Sequence, residues 1–360
     1  MPPTTPCPSI TLTDCHCAGE VGNVVTAGIP NPPNTPTMYS KLVHFRHHSD
    51  HIRQLLLNEP RGRSPINTNI LFPPCTLTAS YGFLILESDE YPPMSGNNTI
   101  CVATVLLENK LVAMHEPVTQ FSLDTPAGLV GVSADCQDGK CKAVAFDNVG
   151  SFVFALDYAV EVAGVGRVRV DLAYGGMIYA IVDLRQRCFQ GVELRREDAG
   201  RLVVLGERIK RALWECYNPV HPENEDIRGV SNVEFVDGVG LVGGDGDGGR
   251  GMRVGVNTVV VSPGRLDRSP CGTGSSARMA VLYKRGLLGV GERWEHRSVI
   301  GTKFECWIRG TTMVGEYEAV LPTVKGSAWI MGYRQVVLDP EDPFPTGFRV
   351  GDQWGVDGYL

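Results

Sequence analysis

Cys271–Leu288 reads CGTGSSARMAVLYKRGLL. A run of small residues leads straight into a helical pattern carrying Met279, Leu282 and Tyr283. Ser95–Val112, SGNNTICVATVLLENKLV, has the same form 176 residues earlier. With Ser95 set against Cys271, Gly96 meets Gly272, Val105 meets Val281, Leu106 meets Leu282 and Leu111 meets Leu287. Four identities in eighteen are weak alone. With the shared turn-then-helix form, they point to a duplicated, two-lobed architecture in which the two small-residue loops face each other. Lobe one is expected to hold residues 1–150 and to regain 327–360; lobe two is expected to hold 151–326.

The rest of the chain reads mostly as strand. Phe83–Leu86, Phe121–Leu123, Gly128–Val132, Phe152–Val162, Val168–Leu172 and Met177–Val182 are short apolar or alternating runs bounded by Pro, Gly and Asp. Val43–Phe45, Asn232–Val236, Val256–Val261, Phe304–Ile308 and Glu316–Leu321 read the same way. Helical spacing is rarer: Ser49–Asn58, Arg195–Cys216 and the two repeated stretches, at Asn97–Asn109 and Gly274–Arg285. Many strands and few helices indicate an α/β chain of α+β type, not an alternating parallel sheet.

Composition excludes several functions. The chain has 360 residues, is 43% hydrophobic and 20% charged, and has a formal net charge of -7. The apolar fraction suits a globular protein. An acidic chain without a basic block has no phosphate-backbone grip on nucleic acid. No run of 18 apolar residues exists to span a membrane, and MPPTTPCPSITLTD lacks the basic and apolar regions of a secretory signal. The 11 cysteines in so long a chain read as reduced thiols of a cytoplasmic protein rather than a disulfide framework. Gly243–Gly251, GGDGDGGRG, reads as a surface loop.

The chemistry concentrates at Asp267–Ala277, DRSPCGTGSSA. Amides at a helix start are unpaired and carry partial positive charge. They hold a carboxylate well and lower the pKa of a thiol placed there. Cys271 sits at that place, as a thiolate base or as a structural cysteine in a tight turn. Met94–Ile100, MSGNNTI, repeats the geometry with a hydroxyl, so Ser95 reads as a helix cap or as a group beside a shared ligand. Other patterns are weaker. Gly238–Gly243, GVGLVG, fits a dinucleotide glycine pattern, but GDGDGGRG follows it instead of a helix. His44, His47, His48 and His51 share helical spacing, but a cap at Ser49 would leave three of them outside the helix, favouring a packed or solvated cluster over a metal site. Cys15-His16-Cys17 and Cys136…Cys141 lack a second spaced pair. Asn97-Asn98-Thr99 is a glycosylation sequon, discounted without a secretory signal. Tyr179 and Asp183 are candidates to line the site.

Taken together, DRSPCGTGSSARMA resembles the second signature of the proline racemase family, which includes hydroxyproline epimerases and trans-3-hydroxy-L-proline dehydratases. MSGNNTI resembles the first. EPRG at Glu59–Gly62, LDTPAGLV at Leu123–Val130, NVGSF at Asn148–Phe152, YGGMIYAIVD at Tyr174–Asp183 and LDPEDPFPTGF at Leu338–Phe348 extend the likeness over nearly the whole chain. The resemblance implies two pseudo-twofold-related lobes of the diaminopimelate epimerase kind, each a curved mixed sheet around a central helix, with the active site between them. It implies that the substrate carboxylate is held by the amides of Gly96, Asn97, Gly272 and Thr273, and that Asp267 meets the imino nitrogen. It implies no metal and no pyridoxal phosphate. The partner is a small molecule, proline or a hydroxyproline, with a possible homodimer and no nucleic acid or membrane.

This chain departs from that pattern. Ser95 replaces the family's first thiol, Asn97 replaces the His two positions on, and Arg63 stands where a His often follows EPRG. Racemisation needs a competent base on each face. A Ser hydroxyl with no adjacent His is a poor one. Dehydration of a 3-hydroxyproline needs only one Cα deprotonation, by Cys271. The expected activity is therefore dehydration of trans-3-hydroxy-L-proline to Δ1-pyrroline-2-carboxylate, with 4-hydroxyproline 2-epimerisation or racemase-like isomerisation as the alternative. A silent imino-acid binding protein is a third reading, disfavoured by the intact DRSPCGTG around Cys271.

Overall fold

The computed structural model describes residues 9–241 and 253–353, so GGDGDGGRG and the end of GVGLVG lie outside the described residues. Five α-helices run α1 (Met38–His48), α2 (Asp50–Leu57), α3 (Gly96–Glu108), α4 (Ala199–Cys216) and α5 (Gly272–Lys284). The rest is dominated by strands, a mixed α+β fold. The described residues divide into two compact units. One comprises 9–94, 98–144 and 327–353; the other comprises 95–97 and 145–326.

In the first unit, strands pair in the order Ala328–Val337, Ser9–Cys17, Glu20–Ala27, Ile66–Phe72, Tyr81–Leu86, Val118–Thr125, Gly128–Gln137. The sheet is mixed, because two of its contacts are parallel. Leu42 and Phe45 of α1 and Leu55 and Leu56 of α2 pack with Leu12, Ile70, Phe72 and Leu84 of the sheet. From Asn98 to Leu107, α3 is buried on every face. A helix apolar all round belongs inside a core.

The second unit closes on itself. Ser151–Val162 pairs Gly166–Tyr174, which pairs Ile178–Asp183, then Asn232–Leu241, Arg253–Val261, Arg293–Ser298, Lys303–Val314 and Tyr317–Gly326. The last strand returns to the first through Ala319↔Phe152 and Val320↔Ser151. Closure leaves this ring of strands without a free edge. Helix α5 is buried from Gly272 to Leu282 and packs on five of these strands. Outside the ring, Leu202, Ile209 and Leu213 of α4 join Phe189, Phe235 and Val260 in the core. A Cβ on Gly206 of α4 would come within 2.6 Å of Val260, so this close approach requires glycine.

Two local expectations are corrected. Val43–Phe45 is helix, not strand, and His44, His47 and His48 lie inside α1, not beyond a helix end. The cause is a cap upstream of the one read from sequence. Thr37 and Ser40 bond each other's backbone in a capping box, starting a helix at Met38. Ser49 does precede α2, but its side chain makes no capping hydrogen bond. The Arg195–Cys216 helix starts at Ala199, after a 3₁₀ turn at Arg196–Asp198. The short runs Ser9–Cys17, Glu20–Ala27 and Arg293–Ser298, rich in polar residues, are strands that alternation alone did not flag.

Candidate functional site

Cys271 ends a turn and caps α5 with its own sulfur: the Gly274 N–H donates to Sγ at 3.4 Å. Its backbone lies at φ 63°, ψ 118°. That conformation is sparsely populated for a residue with a Cβ and costs about 1–3 kcal/mol. The surroundings impose it. The Cys271 N–H donates to Ser269 Oγ at 3.2 Å, and the Ser275 hydroxyl donates to the Cys271 carbonyl at 2.6 Å. Asn257 Nδ2 donates to the Pro270 carbonyl at 2.8 Å and to Glu234 Oε1 at 2.9 Å. The amides of Gly272 and Thr273 are first-turn donors that the helix itself leaves unpaired.

The sulfur is buried, with Cys271 6% exposed. Tyr179 Oη lies 3.3 Å from Sγ and 2.7 Å from Thr273 Oγ1. Ala173, Ile181, Val236, Val259, Ala277 and Val281 pack in the same cluster. The expectation of an ionised sulfur is not met. Burial pushes the thiol well above its ordinary value, and the charge of Asp267 pushes it further. The Tyr179 hydroxyl and the Gly274 amide pull it back only in part. One helix start cannot offset that much lost solvation, so the resting group is a neutral thiol.

The Ser95 turn clusters with this unit. A Cβ on Gly96 would fall 2.7 Å from Gly272 Cα and 2.5 Å from the Phe146 ring; one on Gly272 would fall 2.6 Å from Gly96 Cα. Two glycines therefore let two backbones touch, and the aligned pair of the internal repeat is brought together in space. Ser95 is half-buried. Asn97 is buried, and its Oδ1 has no hydrogen-bond partner among the described residues. Asp267 is buried 3.3 Å from Arg265 Nη1, and its charge acts on Cys271, Tyr179 and Glu234. The structure thus gathers Gly96, Asn97, Asp267, Cys271, Gly272 and Thr273 in one unit. Of the two further candidates, Tyr179 joins them. Asp183 is bonded to Arg185 instead, with Nε 2.9 and 3.0 Å from its two oxygens. Arg63 is exposed in the turn after EPRG, in the other unit.

Sequence reading missed the support behind the turn. Glu234 is fully buried and His296 nearly so, with Nε2 of the ring 3.7 Å from Glu234 Oε1. His296 Nδ1 lies 2.8 Å from Ser275 Oγ. Burial raises the Glu234 carboxyl to about 7 and keeps His296 neutral. The signal available was a Glu amid apolar strand residues in NVEFV and a His in the strand RWEHRS; lone polar residues on strands seldom declare which face they occupy. Asn148 of NVGSF is tied in too, donating to the Gly175 carbonyl and to Ser276 Oγ, each at 2.8 Å. The ten described cysteines are free, and no described helix is long and apolar enough to cross a membrane.

Similarity to known proteins agrees with this geometry. The family model described as proline racemase matches residues 12–349. A hydroxyproline epimerase from Agrobacterium vitis, solved with trans-4-hydroxy-L-proline bound, is 38% identical with a TM-score of 0.87, covering 97% of this chain and 96% of that one. A probable proline racemase from Agrobacterium radiobacter, solved with carbonate bound, is also 38% identical with a TM-score of 0.87, covering 96% and 98%. A predicted epimerase from Pseudomonas aeruginosa shares the fold alone, at 12% identity and a TM-score of 0.54 over 92% and 100%. The chain belongs to the proline racemase family.

Proposed function

We propose that the protein is a cofactor-independent dehydratase of trans-3-hydroxy-L-proline, forming Δ1-pyrroline-2-carboxylate. The observation that carries this reading is the asymmetry of the paired turns. Gly96 and Gly272 touch, yet one turn offers a thiol, Cys271, and the other an alcohol, Ser95. One competent base suffices for an elimination and falls short for a racemase, whose proton donor must become an acceptor on the reverse pass.

In this reading the substrate carboxylate sits on the amides of Gly96, Asn97, Gly272 and Thr273, where helix-start dipoles favour an anion. The protonated imino nitrogen sits at Asp267. That cation counters the charge that helps keep Cys271 neutral, so substrate binding itself favours the thiolate. The thiolate takes the Cα proton, and the electron pair left on Cα forms the Cα–Cβ double bond as the C3–O bond breaks. The leaving hydroxide takes a proton from the Ser95 hydroxyl, which draws one back from solvent, or from a water it holds, and departs as water. The enamine tautomerises to the cyclic imine, and Cys271 returns its proton to solvent.

A second reading is favoured by the likeness to the Agrobacterium vitis epimerase: C2 epimerisation of a 4-hydroxyproline, with a Ser95-bound water as the second proton carrier. One assay separates the two. Purified protein is incubated in D2O with trans-3-hydroxy-L-proline, trans-4-hydroxy-L-proline or L-proline and followed by proton NMR. Cyclic-imine signals from the first are expected. A deuterated C2 epimer from the second would replace the dehydratase with the epimerase, and binding without turnover of any would leave a silent imino-acid binder. Cys271→Ala should abolish turnover and Ser95→Ala should only slow it.

A further inference from the structure

A cavity of about 720 Å³ opens in the unit formed by residues 145–326, and none of its described lining residues belongs to the Cys271 turn. Five arginines and three aspartates line it. Two of the arginines are spoken for: Arg185 by Asp183, and Arg285 by Asp171 at 2.6 Å and Asp157 at 3.1 Å. Arg253 reaches Glu292 at 3.7 Å. Arg278 and Arg169 differ. Among the described residues, neither side chain has a hydrogen bond or a carboxylate within 4.0 Å.

Arg278 is the informative one. It lies on α5 and is only 8% exposed. Glu234, Asp171 and Asp183 act on its charge from a distance, but none pairs with it directly, so its guanidinium keeps hydrogen-bond donors to offer into the cavity. Leu282, one helical turn on, and Ile181 and Leu287 give the cavity an apolar wall beside the guanidinium. The volume suits a small organic molecule rather than a bare ion. Among the described residues, the lining carries two positive charges in excess of its aspartates.

We propose that this cavity is a binding site for an organic anion carrying two or more negative charges on phosphate or carboxylate oxygens. Arg278 forms its floor and Arg169 its rim. The planar guanidinium fork suits bidentate contact with either oxyanion. The site is distinct from the carboxylate site at the start of α5: Arg278 lies seven residues beyond Cys271, about 10 Å along the helix.

The test is calorimetric titration and thermal unfolding of the full chain with inorganic phosphate and, separately, citrate, against sodium chloride at matched ionic strength. Saturable binding with a rise in Tm is expected from at least one; which one responds tells a phosphorylated ligand from a polycarboxylate. Arg278→Met should abolish the binding. Arg169→Glu, a change at an exposed side chain that need not disturb the core, should weaken it at least about tenfold, the loss of one charge-assisted contact. If Arg278→Met does not fold, the Arg169→Glu titration alone decides. No saturable binding by the wild-type chain would overturn the assignment. So would binding undiminished in Arg169→Glu, which would place the anion elsewhere, including at the start of α5.

Discussion

Cys271 holds two properties in tension. Its backbone is strained and its sulfur is capped by an amide, as suits a reactive group, yet burial and Asp267 keep it protonated. The balance can be tested by alkylation of Cys271 with iodoacetamide, followed peptide by peptide. At a fixed pH, Asp267→Asn should speed modification, because the charge opposing the thiolate is gone. Tyr179→Phe should slow it, because the hydroxyl that favours the thiolate is gone. Equal rates in all three proteins would mean that neither neighbour controls the sulfur. A hydrogen bond to a charged group is worth about 2 kcal/mol, so Tyr179→Phe should also lower kcat/KM by roughly thirtyfold.

At the scale of elements, α3 and α5 are the two halves of the internal repeat, each buried on nearly every face. Their starts touch through Gly96 and Gly272, with no room for a methyl group at either. Gly272→Ala should therefore cost about 1–3 kcal/mol from overpacking. It should also remove turnover, since the backbone amides on both sides must move. Circular dichroism melts paired with the NMR assay check this; a variant of unchanged Tm and full activity would show that the two turns are not locked. The polar layer of Glu234, Asn257, Ser275 and His296 holds α5 from behind. Nothing in its sequence spacing brings these four together, since they come from three strands and the helix itself.

At the scale of the whole molecule, Glu234 ties stability to pH. Its carboxyl, ordinarily near 4.5, is raised to about 7 in the folded chain. Between those values the folded state holds a proton that the unfolded state has released, so this group's contribution to stability falls as pH rises from about 4.5 to 7, then levels off. The contribution is on the order of 3 kcal/mol. The buried neutral His296 contributes in the opposite sense below about 6.5, so the Glu234 contribution is read as the difference between wild-type and Glu234→Gln urea-denaturation profiles; a difference that stays constant from pH 4.5 to 7 would contradict the assignment. In the core of the same unit, Leu213 is fully buried between α4 and the closed sheet. Leu213→Ala should cost about 2–5 kcal/mol, read from the denaturation midpoint.

Several features were legible in the chain alone. Its two small-residue turns, their following helices and the strand-rich remainder depend on residues close in sequence, where period and capping chemistry act locally. Cys271, Gly272 and Asp267 were legible because they sit in one eleven-residue stretch. The start of α1 was not, because a threonine–serine box competes with the more obvious Ser49. The protonation of the thiol, the contact of Gly96 with Gly272, the buried Glu234 and the place of Arg278 on a cavity wall were decided only in three dimensions. Burial and counter-charge are sums over neighbours from distant strands, and the sum, not the residue type, sets whether a sulfur ionises or a carboxyl holds its proton.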